Sequence, residues 1–288
     1  MADIRRIGTT TDLLGEGPLW CPRERALYWV DIRGRWLRRW AERGGQVTSW
    51  PMPEEIGSIA IAEQGGVLLA LKSGIAIFEP MTASFRKLAD LPDHGKSLRC
   101  NDGKCDRQGR FWVGTMEMAE IGKTGKLYRL DDRGCAVMLR DVEIPNSLAW
   151  SPDGATMYWA DSMQRKIWAF PYDTATGTHG ERRVFAEVAA PAVPDGATVD
   201  AEGHLWSAHY NGGRVVRYAP DGTIDRVVDL PATQITSCAF GGANLTTLFV
   251  TSATQNLCAE AIAAQPLAGA LFAIEVGVNG MREPRYAF

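Results

Sequence analysis

A repeat limits what this chain can fold into more than any other feature. Six short β-rich runs recur: Leu27-Tyr-Trp-Val-Asp31, Val67-Leu-Leu-Ala-Leu71, Phe111-Trp-Val-Gly-Thr115, Met157-Tyr-Trp-Ala-Asp161, Leu205-Trp-Ser-Ala-His209 and Leu248-Phe-Val-Thr-Ser252. Aligned on Trp29, Leu69, Trp112, Trp159, Trp206 and Phe249, they lie 40, 43, 47, 47 and 43 residues apart. A leucine-rich repeat is shorter, whereas this period suits one four-stranded propeller blade. Turn signals such as Ser151-Pro-Asp-Gly154 and Asp200-Ala-Glu-Gly203 precede the runs, and a further β run such as Lys126-Leu-Tyr-Arg-Leu130 often follows. Turn clusters between β runs read as hairpins. The pattern predicts an all-β chain: a six-bladed β-propeller, residues 1–288 forming one domain around a central channel. A ring of sheets must close. The N-terminal strand, about residues 4–14, is therefore expected to complete the last blade beside the C-terminal segment and remove an exposed edge. An open β-sandwich or two β domains would have to interrupt an even period, and no linker-like segment does so. Helical character is confined to residues 257–264.

Composition removes several function classes. With 288 residues, 45% of them hydrophobic, the chain can bury a core without a disulfide or structural metal. Lys plus Arg is 31 and Asp plus Glu is 34, a formal charge of −3 with no densely basic stretch, so no nucleic-acid partner is expected. No run reaches the roughly 18 apolar residues that a membrane span needs. The opening Met-Ala-Asp-Ile-Arg-Arg-Ile lacks an apolar signal core, which points to a cytoplasmic protein. Six cysteines without a CxxC pair are expected to be reduced and buried. No Gly-x-Ser-x-Gly elbow offers a serine nucleophile. Four histidines show no zinc-protease spacing, and Gly122-Lys-Thr124 has Glu117 where a phosphate loop needs glycine. His209, ending a strand run, suits packing or the rim, and the tryptophans suit the core.

The candidate chemistry lies 11 to 13 residues before the aligned positions, where a propeller chain enters the innermost strand of a blade. Glu16, Asn101, Asn146 and Asp195 stand there, with Gly57-Ser58 and Thr236-Ser237 at the same place in repeats two and six. If the ring closes, these side chains converge at the channel mouth. Two carboxylates and two amides are hard oxygen donors, suited to Ca²⁺, Mg²⁺, Mn²⁺ or Fe²⁺ rather than structural zinc. Asp195-Gly196 and Asp102-Gly103 are equally ordinary turn dipeptides, and Asn146 also suits a turn cap. Glu16 favours a site, since Gly15-Glu-Gly-Pro18 has little structural use for a carboxylate.

Several segments, in register over nearly the whole chain, resemble the gluconolactonase, senescence-marker and luciferin-regenerating-enzyme-like family. They are Gly15-Glu-Gly-Pro-Leu-Trp20, Arg99-Cys-Asn-Asp-Gly-Lys104, Gly114-Thr-Met116, Ile144-Pro-Asn-Ser-Leu-Ala-Trp150 and Pro194-Asp-Gly-Ala-Thr-Val-Asp200. Among members the chain looks most similar to bacterial sugar lactonases, pentonolactone (xylonolactone or arabinonolactone) enzymes foremost. The resemblance implies a six-bladed propeller that hydrolyses an aldonolactone to the aldonic acid with one divalent metal; nothing in the sequence suggests an obligate oligomer, and a monomer is expected. Fe²⁺, Mn²⁺, Zn²⁺ or Ca²⁺ are the candidates, Fe²⁺ or Ca²⁺ favoured. It places the metal ligands on Glu16, Asn146 and Asp195 and the substrate contacts on Arg99 and Asn101; Asp195 is the best candidate for general base, with hydroxide delivered by the metal as the alternative. A further family glutamate past Gly-Thr-Met meets an alanine at its counted position here; Glu117 is taken for the role, with Glu120, or neither, as the alternative. The ion is expected to polarise the lactone carbonyl and activate water. The 116–125 loop is expected to form a lid or rim. The alternatives are a gluconolactonase, a non-catalytic calcium-binding propeller, and a propeller hydrolase of organophosphates or aryl esters.

Overall fold

The structure, a computed structural model, describes residues 3–288. After β1 (Ile4–Ile7), the chain forms six antiparallel sheets in succession. The first is β2 (Gly15–Cys21), β3 (Ala26–Asp31), β4 (Trp36–Ala41) and β5 (Val47–Pro51). The second is β6 (Ile56–Ile61), β7 (Val67–Leu71), β8 (Gly74–Glu79) and β9 (Ser84–Ala89); the third is β10 (Leu98–Cys105), β11 (Phe111–Glu117), β12 (Gly125–Asp131) and β13 (Gly134–Val142). The fourth has β14 (Pro145–Trp150), β15 (Thr156–Asp161) and β16 (Lys166–Asp173), with the short β17 (Thr178–His179) and β18 (Arg183–Glu187) both paired to β16. The fifth is β19 (Val193–Val199), β20 (Leu205–Tyr210), β21 (Arg214–Tyr218) and β22 (Ile224–Asp229). The last joins β23 (Ile235–Gly241), β24 (Thr247–Ser252) and β25 (Leu271–Glu275) to β1.

The ring closes as expected. Ile4 to Ile7 pair antiparallel with Ile274 to Leu271, so β25 has no free edge. The closing strand is shorter than its expected extent: beyond Ile7 only Leu14 returns to a bridge, with Ala253. Gly8 follows the strand at φ +65°, a left-handed turn that ends extended pairing. The first strands touch around the hub in the circular order β2, β6, β10, β14, β19, β23 and back to β2. Burial follows that layering. β3, β7 and β14 are buried throughout, while the outermost β9 and β22 are largely exposed. The six aligned residues all sit on the second strand of a blade and all are buried. The one α-helix among the described residues, α1 (Ala259–Ala264), falls in the expected segment, and a short 3-10 turn spans Ser162–Gln164.

A repeated polar device braces two blades from within. In the fifth, Asp200 accepts hydrogen bonds from Trp206 Nε1 (2.8 Å) and Arg217 Nε (2.8 Å), and Trp206 faces Arg217 across the β20–β21 pair. In the first, Asp12 accepts from Trp29 Nε1 (2.8 Å) and Arg38 Nε (2.7 Å), with Trp29 opposite Arg38. The two buried aspartates are tolerated because the tryptophan and arginine donors bonded to them satisfy their oxygens. His209 is also core: it lies 3.2 Å from the Tyr218 hydroxyl, and burial pushes its pKa down to about 4.

The segment after β25 crosses the far end of the hub, where the first strands finish. Asn279 O accepts from Ala201 N (2.8 Å), Tyr286 N donates to Ile61 O (2.9 Å) and Ala287 N donates to Gly109 O (3.1 Å). Glu283 receives Lys104 Nζ (3.1 Å) and Thr198 Oγ1 (3.1 Å). That end is stoppered, which leaves the starts of the inner strands as the accessible mouth.

Asp200→Ala should destabilise the protein by about 3 kcal/mol, near the lower limit for breaking a buried ion pair because Glu202 and Asp225 still hold Arg217. Denaturant unfolding reads this as a lower midpoint at an unchanged slope.

Candidate active site

Every position singled out by the repeat lies on a first strand: Glu16 on β2, Gly57 and Ser58 on β6, Asn101 on β10, Asn146 on β14, Asp195 on β19, Thr236 and Ser237 on β23. Asp195-Gly196 and Asp102-Gly103 are thus strand residues, not turns. The glycines answer to close approach. A Cβ on Gly57 would lie 2.3 Å from the Cys100 carbonyl carbon, and one on Gly196 would lie 2.1 Å from Ser237 Oγ.

All six first strands slip register here, between Glu16 and Leu19, Ile56 and Ser58, Cys100 and Gly103, Asn146 and Ala149, Pro194 and Ala197, and Ile235 and Ser237. A bulge bends its strand and re-aims the side chain beside it. Two of them hold a left-handed residue, Gly17 (φ +53°) and Ser147 (φ +59°). Six bulges at one level turn a ring of alternating strands into a ring of converging side chains.

The side chains meet in a cavity of about 360 Å³, whose wall includes Glu16, Arg99, Asn101, Asn146, Asp195 and Glu120. The first five are buried. Asn101 Oδ1 accepts from Arg99 Nη1 (2.7 Å), and Arg99 Nη1 also donates to Cys100 O (3.0 Å). Asn101 Nδ2 donates to Pro145 O (2.9 Å) and to Asn146 Oδ1 (3.3 Å). Asn146 Nδ2 donates to Ser162 Oγ (2.8 Å), which donates to Pro194 O (2.7 Å). These bonds tie the third, fourth and fifth blades together and fix the Asn146 amide with its oxygen beside Asn101.

Glu16 and Asp195 stand in the same cavity wall, and Gly17 N donates to Glu16 Oε2 (2.8 Å). Burial, followed by repulsion from Asp102, raises the pKa of Glu16 to about 8. Burial and then the charge of Glu16 hold Asp195 well above the ordinary carboxylate range. Two acids this close in a desolvated hub cannot both ionise cheaply without a cation. Burial, and then the like charge of Arg33, lower the pKa of Arg99. Among the described residues no three His, Cys, Asp or Glu side chains gather as metal ligands. The donor set here is two acids with amides, and two buried carboxylates that resist ionising side by side fit a divalent ion.

Glu117 is the expected residue that the structure does not bring to the cavity. It points outward and accepts a hydrogen bond from Thr124 Oγ1. Three residues on, Glu120 lines the cavity from a left-handed turn (φ +59°). Sequence reasoning missed Ser162 and Tyr210, which also line it. Each stands at or just past the end of a second-strand run. The second strand runs antiparallel to the first, so its end returns to the mouth where the first begins. The repeat register carried that signal.

A closed propeller with a buried acid pair at the floor of an open cavity has the concave form of a small-ligand site. Residues 14–254 match the SMP-30/Gluconolactonase/LRE-like region, and the chain belongs to that family. It is 40% identical over 278 residues to 6-deoxy-6-sulfogluconolactonase of Pseudomonas putida, covering 96% of this chain and 95% of the relative. It is 38% identical to L-arabinolactonase of Azospirillum brasilense, covering 98% and 94%. The crystal structure of a calcium-binding protein, regucalcin from Agrobacterium tumefaciens, superposes with a TM-score of 0.96 at 31% identity, covering 100% of this chain and 98% of that one.

The acid pair should make the chelator-treated protein lose stability as pH rises. Below the ordinary value of 4.5, Glu16 is protonated both folded and unfolded; between there and about 8 only the folded chain keeps the proton, so rising pH favours unfolding. Thermal unfolding of chelator-treated protein at pH 5, 6.5 and 8 should give a shallower decline for Glu16→Gln than for the wild type.

Proposed function

We propose that the protein is a lactonase that opens a sugar aldonolactone, a pentonolactone foremost, to the aldonic acid in this cavity. One observation carries the reading: Glu16, Asn146 and Asp195, from three different blades, line one cavity with Arg99 and Asn101. Relatives named as lactonases of a sulfogluconolactone and of arabinolactone support the reaction class.

Glu16, Asn146 and Asp195 would hold a divalent ion. The two carboxylates supply charge and the amide a neutral oxygen, a hard set that admits Fe²⁺, Mn²⁺, Zn²⁺ or Ca²⁺, with Fe²⁺ or Ca²⁺ favoured. When bound, the ion supplies Lewis acidity toward the lactone carbonyl. The protein's own groups do the rest. Arg99, anchored by Asn101 and Cys100, offers its remaining donors to sugar hydroxyls or the carbonyl. Asn101 is held by Pro145 and Asn146, so it contributes fixed dipoles that need no reorganisation. Asp195 takes the proton of the attacking water. As the ring C–O bond breaks, that proton passes to the departing ring oxygen, leaving hydroxyl and carboxylic acid. The stopper at the far end of the hub confines entry to the mouth.

A second reading, a non-catalytic calcium-binding propeller, is favoured by the likeness to regucalcin, a calcium-binding protein. A pH-stat assay with gluconolactone, xylonolactone and arabinonolactone, each with metals added back to chelator-treated protein, separates the two. Acid release with a pentonolactone preference is expected; metal binding without acid release supports the module. Asp195→Asn should lower kcat by about 10³-fold, within the span for losing a general base and a charge-stabilising group. It should also weaken metal binding in calorimetry. A near-normal rate would reject the assignment.

A further inference from the structure

Arg33 reaches across the mouth from the turn between β3 and β4 and contacts three other blades. Its Nη1 lies 2.9 Å from Glu55 Oε1, just before β6. Its Nη2 lies 2.9 Å from Glu120 Oε1 and 3.3 Å from Met118 O, in the loop after β11. Its Nε lies 3.3 Å from Gln255 Oε1, after β24. Gln255 Nε2 in turn donates to Glu120 Oε1 (3.1 Å). The same carboxylate oxygen stands 3.8 Å from Arg99 Nη2. That is too long for a hydrogen bond, although Arg99 is almost completely buried, its Nε has no partner and Glu120 is the nearest acid paired with it. One acid thus stands between two arginines and is bonded to the outer one.

We infer that Arg33 is a positioning residue: it holds Glu120 off Arg99, so that the Arg99 guanidinium stays available to the substrate. The inference rests on the lactonase reading for what Arg99 contacts. A planar guanidinium can serve Glu55, Glu120 and Gln255 at once because its donors diverge in a fixed fork; a lysine ammonium cannot span them. Without Arg33, Glu120 keeps only Gln255 and lies within a small side-chain movement of the desolvated Arg99. A direct Arg99–Glu120 pair would form, and a lactone would have to break it to bind. The cost falls on binding and leaves the chemical step alone, so it appears in KM. The strap also holds the 116–125 loop down through Met118 O.

Steady-state kinetics on the best lactone of the panel test this with Arg33→Ala and Arg33→Lys, each in the native and the Glu120→Gln background. In the native background Arg33→Ala should raise KM about tenfold, the scale of one charge-assisted hydrogen bond, with kcat changed less than about twofold. Arg33→Lys should fall between. In the Glu120→Gln background, where the one carboxylate within 4 Å of the Arg99 guanidinium among the described residues is gone, the Arg33 effect on KM should shrink below about twofold, the non-additivity of coupled neighbours. Hydrogen exchange over residues 117–125 should quicken in Arg33→Ala, a readout independent of turnover. An unchanged KM, an equal KM rise in both backgrounds, or unaltered exchange overturns the inference. Absence of turnover by the wild-type protein with every lactone and metal removes the lactonase reading instead.

Discussion

The pairing of β1 with β25 is the interaction on which the rest depends. A propeller places its site where residues distant in sequence meet, and they meet only if the ring shuts. Four backbone pairs from the first residues of the chain take the place of a sheet edge that would otherwise lie open. With the ring shut, β2 packs against both β23 and β6. Glu16 thereby faces Asp195 across the hub, although the two are 179 positions apart. The Asp12–Trp29–Arg38 brace stands just behind this closure, so the seam and the first blade are stabilised together.

Closure brings costs that the site then uses. Six inner strands crowd the axis, and glycines at Gly57 and Gly196 permit main chains to approach where a Cβ would collide. The bulge repeated in each strand relieves the alternation that would send half of the polar side chains into blade cores. The result concentrates two acids in a dry place. Their mutual repulsion and desolvation keep a proton on the pair, and the same electrostatics make the position attractive to a cation. Structure and chemistry are here a single property of the hub.

The mouth is a separate device built on top. Its residues come from the ends of second strands and from loops, where the repeat is least regular. Arg33, Glu55, Glu120 and Gln255 form a bridge over four blades. Loops tolerate variation that the hub cannot, so the rim is where relatives sharing one hub can differ in the ligand they admit.

Much of this was legible in the sequence. A period near 44 residues, with Trp or another large apolar residue at its centre, determined the number of blades, because each blade must bury the same second-strand position. The same register pointed to Glu16, Asn101, Asn146 and Asp195, since a repeat fixes which strand a residue enters. It could not choose between Glu117 and Glu120. That choice turns on a left-handed residue in an irregular loop, for which periodicity carries no information. Nor could it show Arg33 reaching Glu120, or the bulges that aim the inner side chains, or the carboxyl-terminal stopper. Local pattern decides what each segment is; contacts between segments of unrelated spacing exist only after the ring has closed, and only three-dimensional packing decides them.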